Sequence, residues 1–187
     1  MDIQKMSFIN YLKDSIVKRL IKIEEGRVKM FGKIDYIMFP ASAMAEFIHQ
    51  IGKDLGEDYL FEIGYEAGTD GANEMIERLG LFANSIPKNL SIIYSMFETL
   101  GFGKMKIKLM HSDKGQILLV LTDHPVIEYA KAVYGNKSRV CALYRGIFSI
   151  HAEKDLKVKN CKMIETQCLL KGDAFCEWSS NYFKEKK

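Results

Sequence analysis

The segment ETQCLLKGDAFCEW, residues 165–178, carries the clearest structural signal in the chain. It predicts two strands joined by a turn, because the Gly and Asp of a three-residue loop at Lys171–Asp173 suit a tight connection. In that register Cys168 lies directly opposite Cys176. Opposed residues on one face have Cβ atoms about 4.5–5.5 Å apart, and a zinc–sulfur bond is about 2.3 Å long. The hairpin alone therefore predicts half of a tetrahedral metal site.

The other two ligands are left open by the spacing. Cys141 lies in a predicted helix, from which a fold can bring it over the sheet. The fourth candidate is Glu165 or Cys161. Strict alternation puts both on the opposite face from Cys168, so that Glu165 needs a bulge or a strand end to reach a metal. Two buried, unliganded thiols are the competing interpretation, whereas the absence of a C-x-x-C pair argues against redox use.

The order of the predicted elements indicates an α+β fold. About five helices precede or flank an antiparallel four-stranded sheet in the C-terminal half, where short turns join the strands. Gly26 is expected to end the first helix, and Gly64 with Gly68 is expected to allow close approach of another helix. The five substantial predicted helices are 4–24, 40–56, 57–79, 87–100 and 139–152, and a short one is 125–134. The predicted strands of the sheet are 104–110, 116–122, 156–170 and 175–183, and the stretch 28–39 is expected to be strand or loop.

Composition excludes several functional classes. The 187 residues carry 27 basic and 24 acidic side chains, a net charge of +3, and no basic block of the kind that binds nucleic acid. No apolar run reaches the roughly 18 residues of a membrane span. The first residues lack the layout of a signal peptide, so we expect a cytoplasmic protein. No G-x-G-x-x-G or phosphate-binding loop supports a nucleotide cofactor, so an enzyme is the less favoured hypothesis.

Three motifs together resemble the 4-vinyl reductase domain family of small-molecule-binding modules. They are RVCALYRGIFS at 139–149, ETQC at 165–168 and KGDAFCEW at 171–178, and the stretches FPASAMAEFIHQIGKDLG at 39–56 and EIGYEAGTDGA at 62–72 resemble the family's N-terminal half. The resemblance covers about residues 30–183. It implies two parts, an N-terminal helix at 1–25 and a ligand-binding domain at 26–187.

The resemblance also implies a structural zinc ion. Carried over position by position, its ligands are Cys141, Glu165, Cys168 and Cys176. Four protein ligands close the coordination sphere, so the metal is expected to be structural rather than catalytic. Three thiolates and one carboxylate leave the site with a charge of about −2, for which Lys162, Lys171 or backbone N–H groups are the expected compensation.

The family's fold implies an apolar cavity between sheet and helices, shared with trafficking-complex subunits that hold an acyl chain. Phenol-sensing members use a His and a Trp to hold the ligand, but here the only tryptophan, Trp178, follows the last predicted metal ligand. His111 and His124 are expected to be solvent-exposed or capping groups. A wholly apolar or larger ligand is therefore favoured over phenol. The candidate lining residues are Phe97, Phe102, Leu118, Val120, Tyr144 and Met163.

The sequence thus favours a cytoplasmic domain with a structural zinc that binds a small hydrophobic molecule, such as a hydrocarbon, as a sensor or carrier. Two alternatives stay open. The protein is a subunit of an assembly, with the apolar stripe of the first helix forming a homodimer, or it is an uncharacterised enzyme of reductase type.

Overall fold

The computed structural model describes residues 21–30, 34–79, 94, 97–111, 114–156, 159 and 161–181. The chain divides into two compact units, Met1–Phe39 and Pro40–Lys187. No helix within these described residues is both long and apolar enough to cross a bilayer.

The first unit contains a small antiparallel sheet, two of whose strands fall largely in the stretch 28–39 that was predicted as strand or loop. Its strands are β1 (Ile21–Glu24), β2 (Arg27–Met30) and β3 (Ile34–Tyr36), in that order. Glu25 and Gly26 connect the first two with φ values of 50° and 77°, as a two-residue hairpin turn of type I′ requires. Most of the predicted helix 4–24 lies outside the described residues, and its last four positions form β1. Gly26 is therefore a turn residue and does not end a helix.

Two helices open the second unit at the predicted positions. Helix α1 (Ala41–Leu55) begins after Pro40, whose fixed φ suits a helix start, and ends at Gly56 with φ of 91°. Helix α2 (Glu57–Leu79) follows at once and has two acidic residues in its first turn, where they complement the helix dipole. Of the predicted helix 87–100, Tyr94 and 97–99 are helical, and the remainder, except for a turn at Leu100, lies outside the described residues.

A four-stranded antiparallel sheet forms the other half of the unit, so the predicted fold class is confirmed. Its strands are β4 (Lys104–His111), β5 (Gln116–Thr122), β6 (Lys162–Gln167) and β7 (Cys176–Asn181), in the order β4-β5-β7-β6. The long predicted strand 156–170 is shorter than expected at both ends.

Helix α3 (Pro125–Tyr134) and helix α4 (Val140–Leu156) complete the unit. The inner face of the sheet carries Trp178, which is fully buried and lies 5.4 Å from the Phe148 ring of α4. Ser149 links the helix to the sheet, because its hydroxyl accepts a hydrogen bond from the Met163 N–H at 3.0 Å. Helix α4 is buried on the side facing the sheet and also on the side facing α2.

Glycines set the distance between α2 and α4, as the spacing of Gly64 and Gly68 predicts. A Cβ placed on Gly64 would lie 2.0 Å from the carbonyl oxygen of Leu143, and one on Gly68 would lie 2.9 Å from the Cα of Ile147. From the other side, a Cβ on Gly146 would lie 2.2 Å from the carbonyl oxygen of Phe61. The backbones of the two helices therefore touch directly, which fixes the position of α4 and of Cys141 in its first turn.

Candidate functional site

Three buried cysteines meet between the start of α4 and the end of the β6–β7 hairpin. The sulfur of Cys141 lies 3.6 Å from that of Cys176 and 3.6 Å from that of Cys168. All three sulfurs lie within 4.8 Å of one another, and each residue is at most 3% exposed. Elements far apart in sequence thus place three soft ligand atoms around one point.

The hairpin has the predicted register but a longer connection. Gln167 pairs with Glu177, so Cys168 and Cys176 come next on either side, as expected. The chain then makes a short 3-10 turn at Leu169–Lys171 rather than a three-residue loop. Asp173 holds this turn, because its carboxylate accepts a hydrogen bond of 2.7 Å from the Cys168 N–H. Gly172, with φ of 105°, supplies the left-handed conformation that the turn needs.

A β-bulge places Glu165 on the same face as the cysteines. Glu165 pairs with the inward-facing Trp178, and the next pair joins Gln167 to Glu177, so Thr166 is an extra residue in β6. The Thr166 hydroxyl donates to the Glu177 carbonyl at 3.1 Å and thereby satisfies a backbone acceptor beside the bulge. Strict alternation would put Glu165 and Cys168 on opposite faces of the sheet, and the bulge brings them to the same face.

Glu165 lies beside the cluster and is held by an ion pair, but it is outside the group of three residues whose ligand atoms all lie within 4.8 Å of one another. It lines a small cavity of about 20 Å³ together with Cys141 and Cys168, which is room for one water molecule or ion. Its carboxylate accepts a hydrogen bond of 2.5 Å from the ammonium group of Lys171. Burial raises the pKa of Glu165, Lys171 opposes that shift, and the Cys168 thiol adds to it.

The alternative ligand Cys161 is not part of this group. It is fully buried, and its N–H donates to the Glu153 carboxylate at 2.8 Å. Burial raises the pKa of its thiol to about 12. Lys162, one of the two lysines expected to offset the charge of the site, pairs instead with Glu62 at 3.7 Å. Lys171 is the lysine that reaches the candidate metal site.

The thiol cluster favours one ionised sulfur. Hydrogen bonds from Cys141 and Cys168 lower the pKa of Cys176 to about 4. The Leu169 N–H also lies 3.5 Å from the Cys176 sulfur, as a donor to it. Hydrogen bonds with Cys168 and Cys176, together with burial, raise the pKa of Cys141 well above its ordinary value. The Cys141 thiol therefore keeps its proton unless a cation replaces it.

The geometry fits a tetrahedral ion. With metal–sulfur bonds of about 2.3 Å, the edge of a tetrahedron is about 3.8 Å, close to the two sulfur–sulfur distances of 3.6 Å. Three sulfurs and one nearby carboxylate form a donor set that suits Zn²⁺. Residues Cys141, Cys168, Cys176 and Glu165 would hold the ion, and its chemistry there would be structural.

The six candidate ligand-lining residues do not share one place. Phe97 contacts Phe102, with ring centroids 5.6 Å apart, and Tyr144 lies in the same apolar core. Leu118 and Val120 alternate with the inward-facing Leu119, so they lie on the outer face of the sheet. Met163 faces inward on β6 and lines a surface groove.

His124 lies between the aromatic side chains of Tyr144 and Phe102, and the sequence pattern did not indicate this position. His124 is 3% exposed, and its ring lies 4.2 Å from that of Tyr144 and 6.2 Å from that of Phe102. The expectation that His124 is exposed to solvent is therefore wrong. His124 precedes Pro125 at the start of α3, but its side chain makes no capping hydrogen bond. The signal for its burial was its position between two apolar segments, ILLVL and PVI.

His124 also lines a pocket of about 180 Å³ between β5, α3 and the 168–176 connection. Neither of its ring nitrogens has a hydrogen-bond partner among the described residues. Burial lowers the pKa of His124 to about 4, so the imidazole is neutral at pH 7. The same pocket is lined by Cys176 of the metal site.

Comparison with known proteins shows likeness in fold. No protein-family model and no curated protein sequence matches the chain. The fold is similar to the phenol-responsive sensory domain of the transcription activator PoxR, solved with phenol, at a TM-score of 0.65 and 12% identity over 91% of this chain and 88% of that one. It is also similar to trafficking protein particle complex subunit 3 from Naegleria fowleri, solved with covalently bound palmitic acid, at a TM-score of 0.50 and 19% identity over 78% of this chain and 98% of that one. The fold that the resemblance implied is confirmed, and membership of the 4-vinyl reductase family stays a prediction.

Proposed function

We propose that the chain is a small-molecule-binding domain stabilised by a zinc ion, and that it acts as a sensor or carrier. The observation that carries the proposal is the cluster of Cys141, Cys168 and Cys176, with sulfur–sulfur distances of 3.6 Å beside the Glu165 carboxylate. The cluster lies within the compact unit Pro40–Lys187, inside the predicted domain 26–187. The cytoplasmic location stays a prediction.

The metal is proposed to lock the hairpin onto α4. Each of its sulfur ligands comes from a different element, and the closed set leaves no position for a reacting molecule. Structural zinc contributes directly to folding free energy, because the site does not exist in the unfolded chain. Glu165 is the proposed fourth ligand. Lys171 then supplies part of the positive charge that an anionic site needs.

Binding of a small molecule is supported by the similar structures. Both of them were solved with an organic molecule bound, phenol in one and palmitic acid in the other. In this chain the aromatic group of Phe97, Phe102, His124 and Tyr144 lies beside a 180 Å³ pocket that combines apolar and polar side chains.

Elemental analysis with matched serine variants tests the metal proposal. Purified protein is expected to contain one zinc per chain, and Cys176→Ser is expected to lose both metal and stability. Cys161→Ser is the control, because this thiol is also buried but lies outside the cluster. It should keep its zinc. A fully stable, metal-free wild type, or equal metal content in both variants, would refute the proposal.

Native mass spectrometry tests the small-molecule proposal separately. The protein as purified, or after incubation with a set of one-ring and acyl-chain compounds, should retain an added organic mass. If the zinc-loaded protein takes up none of these compounds saturably, the result would count against a sensor or carrier.

A second candidate function, a subunit of an assembly or a homodimer, is favoured by exposed apolar side chains. Phe47 on α1 is 62% exposed, and Val133 and Tyr129 on α3 are 54% and 40% exposed. Such side chains on neighbouring helices are typical of interaction surfaces. Sedimentation of the wild type and Val133→Glu tests this, since a dimer built on this surface should dissociate in the variant, and a monomeric wild type rules out the homodimer.

A further inference from the structure

The pocket beside His124 contains buried nitrogen atoms that have no hydrogen-bond partner among the described residues. It opens between the end of β5, the first turn of α3 and the 168–176 connection. Its walls are about equally apolar and polar, with Leu121, Ile127, Leu169 and Phe175 forming the apolar part. None of these four residues belongs to the set that the sequence suggested for ligand binding.

His124 gives the pocket a buried side chain with two nitrogens able to hydrogen-bond. Buried nitrogen and oxygen atoms are nearly always hydrogen-bonded, and one left without a partner costs free energy. Both nitrogens of His124 are buried and have no partner among the described residues, although the ring is 3% exposed. The surrounding rings of Tyr144 and Phe102 fix the imidazole in place without satisfying it. A bound molecule with a hydrogen-bonding group would supply the missing partner.

The backbone around His124 is held in an unusual conformation. Asp123 has φ of 56°, which is uncommon for a residue other than glycine. Gly103 packs against this segment so tightly that a Cβ would lie 2.5 Å from the Thr122 carbonyl oxygen. Strained conformations of this kind are often kept where a side chain must be aimed for a function.

We propose that this pocket binds a small neutral molecule, of one ring or similar size, whose single polar group hydrogen-bonds to His124. This inference rests on the proposed small-molecule-binding function and names the place and the class of ligand. A volume of about 180 Å³ suits one ring, since a cavity of about 150 Å³ accepts benzene and drug-sized ligands need about 300 Å³ or more.

The charges at the rim select against anions. Asp123 and Glu128 both line the pocket. The Asp123 carboxylate is paired with Lys104 at 2.8 Å, whereas Glu128 occupies the first turn of α3 and counteracts the positive end of that helix. An anionic ligand would meet two carboxylates and a neutral imidazole, so a neutral ligand is preferred.

Calorimetric titration of the zinc-loaded protein with three one-ring probes tests the proposal. Benzyl alcohol carries a hydroxyl, toluene lacks it and benzoate is an anion. The wild type should bind benzyl alcohol most tightly, toluene more weakly and benzoate not measurably. His124→Phe keeps an aromatic ring but removes both nitrogens. It should lower the affinity for benzyl alcohol by about three- to tenfold, as expected for the loss of one neutral hydrogen bond. The affinity for toluene should stay within about twofold of the wild-type value.

His49→Phe is the matched control. His49 also stacks on a tyrosine, Tyr134, with ring centroids 3.9 Å apart, and its Nδ1 also lacks a hydrogen-bond partner among the described residues. It does not line the pocket. Its replacement should leave the affinities for all probes unchanged. Ala174→Phe, which fills the mouth of the pocket, should abolish binding of both benzyl alcohol and toluene.

The outcomes separate this inference from the proposed function. If benzyl alcohol binds the wild type, His124→Phe and Ala174→Phe equally, the inference is wrong and small-molecule binding stands. If none of the probes binds the zinc-loaded wild type, this site is refuted for one-ring ligands, whereas retention of a larger molecule in native mass spectrometry still supports the function. Should His124→Phe fail to fold, intermolecular NOEs in the wild type decide: contacts from benzyl alcohol to the Ile127 and Leu121 methyl groups support the site, and contacts only elsewhere refute it.

Discussion

Replacing Gly64 with alanine should destabilise the protein, even though alanine is the better helix former. The new Cβ would lie 2.0 Å from the Leu143 carbonyl oxygen, which is backbone and cannot rotate away. Overpacking of this kind costs about 3 kcal/mol at the upper end of its usual range, against a gain of about 1 kcal/mol from helix propensity. The expected net loss is therefore about 2 kcal/mol, measured by urea unfolding monitored by circular dichroism at equal metal content.

Gly71→Ala is the control, because it changes helix propensity without creating a steric clash. Gly71 lies in the same helix, and a Cβ there meets nothing within 4 Å. This variant should be more stable than the wild type by up to about 1 kcal/mol. The two variants are thus expected to differ by about 3 kcal/mol. If Gly64→Ala is as stable as Gly71→Ala, the backbones of α2 and α4 do not touch, and the placement of Cys141 needs another explanation.

Three further measurements follow from the site. Because the pKa of His124 is lowered to about 4 from an ordinary value of 6.5, the unfolded chain takes up the proton first as the pH falls. The free energy of unfolding should therefore drop by about 2 kcal/mol more in the wild type than in His124→Phe between pH 7 and pH 5, and equal slopes would contradict a buried neutral imidazole. Lys171→Met should speed zinc release to a chelator, since Lys171 holds Glu165 in place, whereas Lys162→Met should not, and equal rates would contradict the role of Lys171. Removal of zinc should weaken benzyl alcohol binding, because Cys176 lines the ligand pocket as well; unchanged affinity in the metal-free protein would show that the two sites are independent.

Residue patterns predicted the second unit well because its signals are local. Pro40 and Gly56 delimit α1, and Gly101 and Gly103 separate the helical segment before them from β4. The hairpin register follows from turn chemistry, which is why Cys168 and Cys176 come out opposite each other.

Strand β1 was predicted as the end of a helix because its segment carries two periodicities. Ile21 and Ile23 fit a strand that alternates, and Ile23 also continues a helical stripe from residues before it. The deciding feature was the Glu25–Gly26 dipeptide between IKIE and RVKM, whose two positive φ values form a hairpin turn. A glycine after an apolar stripe predicts a helix end and a turn equally well.

Side-chain direction in β4 was not predictable from alternation. The register shifts between Ile107 and Leu109, so that Leu109 pairs with Leu118 on the outer face and is 42% exposed. A bulge depends on how two strands pair and leaves no mark in the period of either strand. Leu118 and Val120 were expected to line one cavity with Phe97, but they lie on the outer face of the sheet. In a strand that is apolar on both faces, the sequence does not indicate which face packs against the helices.

The two candidate sites share the Cys168–Cys176 end of the hairpin. Without the bulge at Thr166, Glu165 and Cys168 would point to opposite faces of the sheet, and three sulfurs would lack a nearby carboxylate. The end of the hairpin, whose register comes from the turn, meets the first turn of α4 through the three sulfurs and lines the His124 pocket with Cys176. A ligand seated in that pocket contacts the wall that the metal is proposed to hold. Any shift of Cys176 that a ligand stabilises must therefore change metal affinity, and by thermodynamic linkage the metal must change ligand affinity by the same factor.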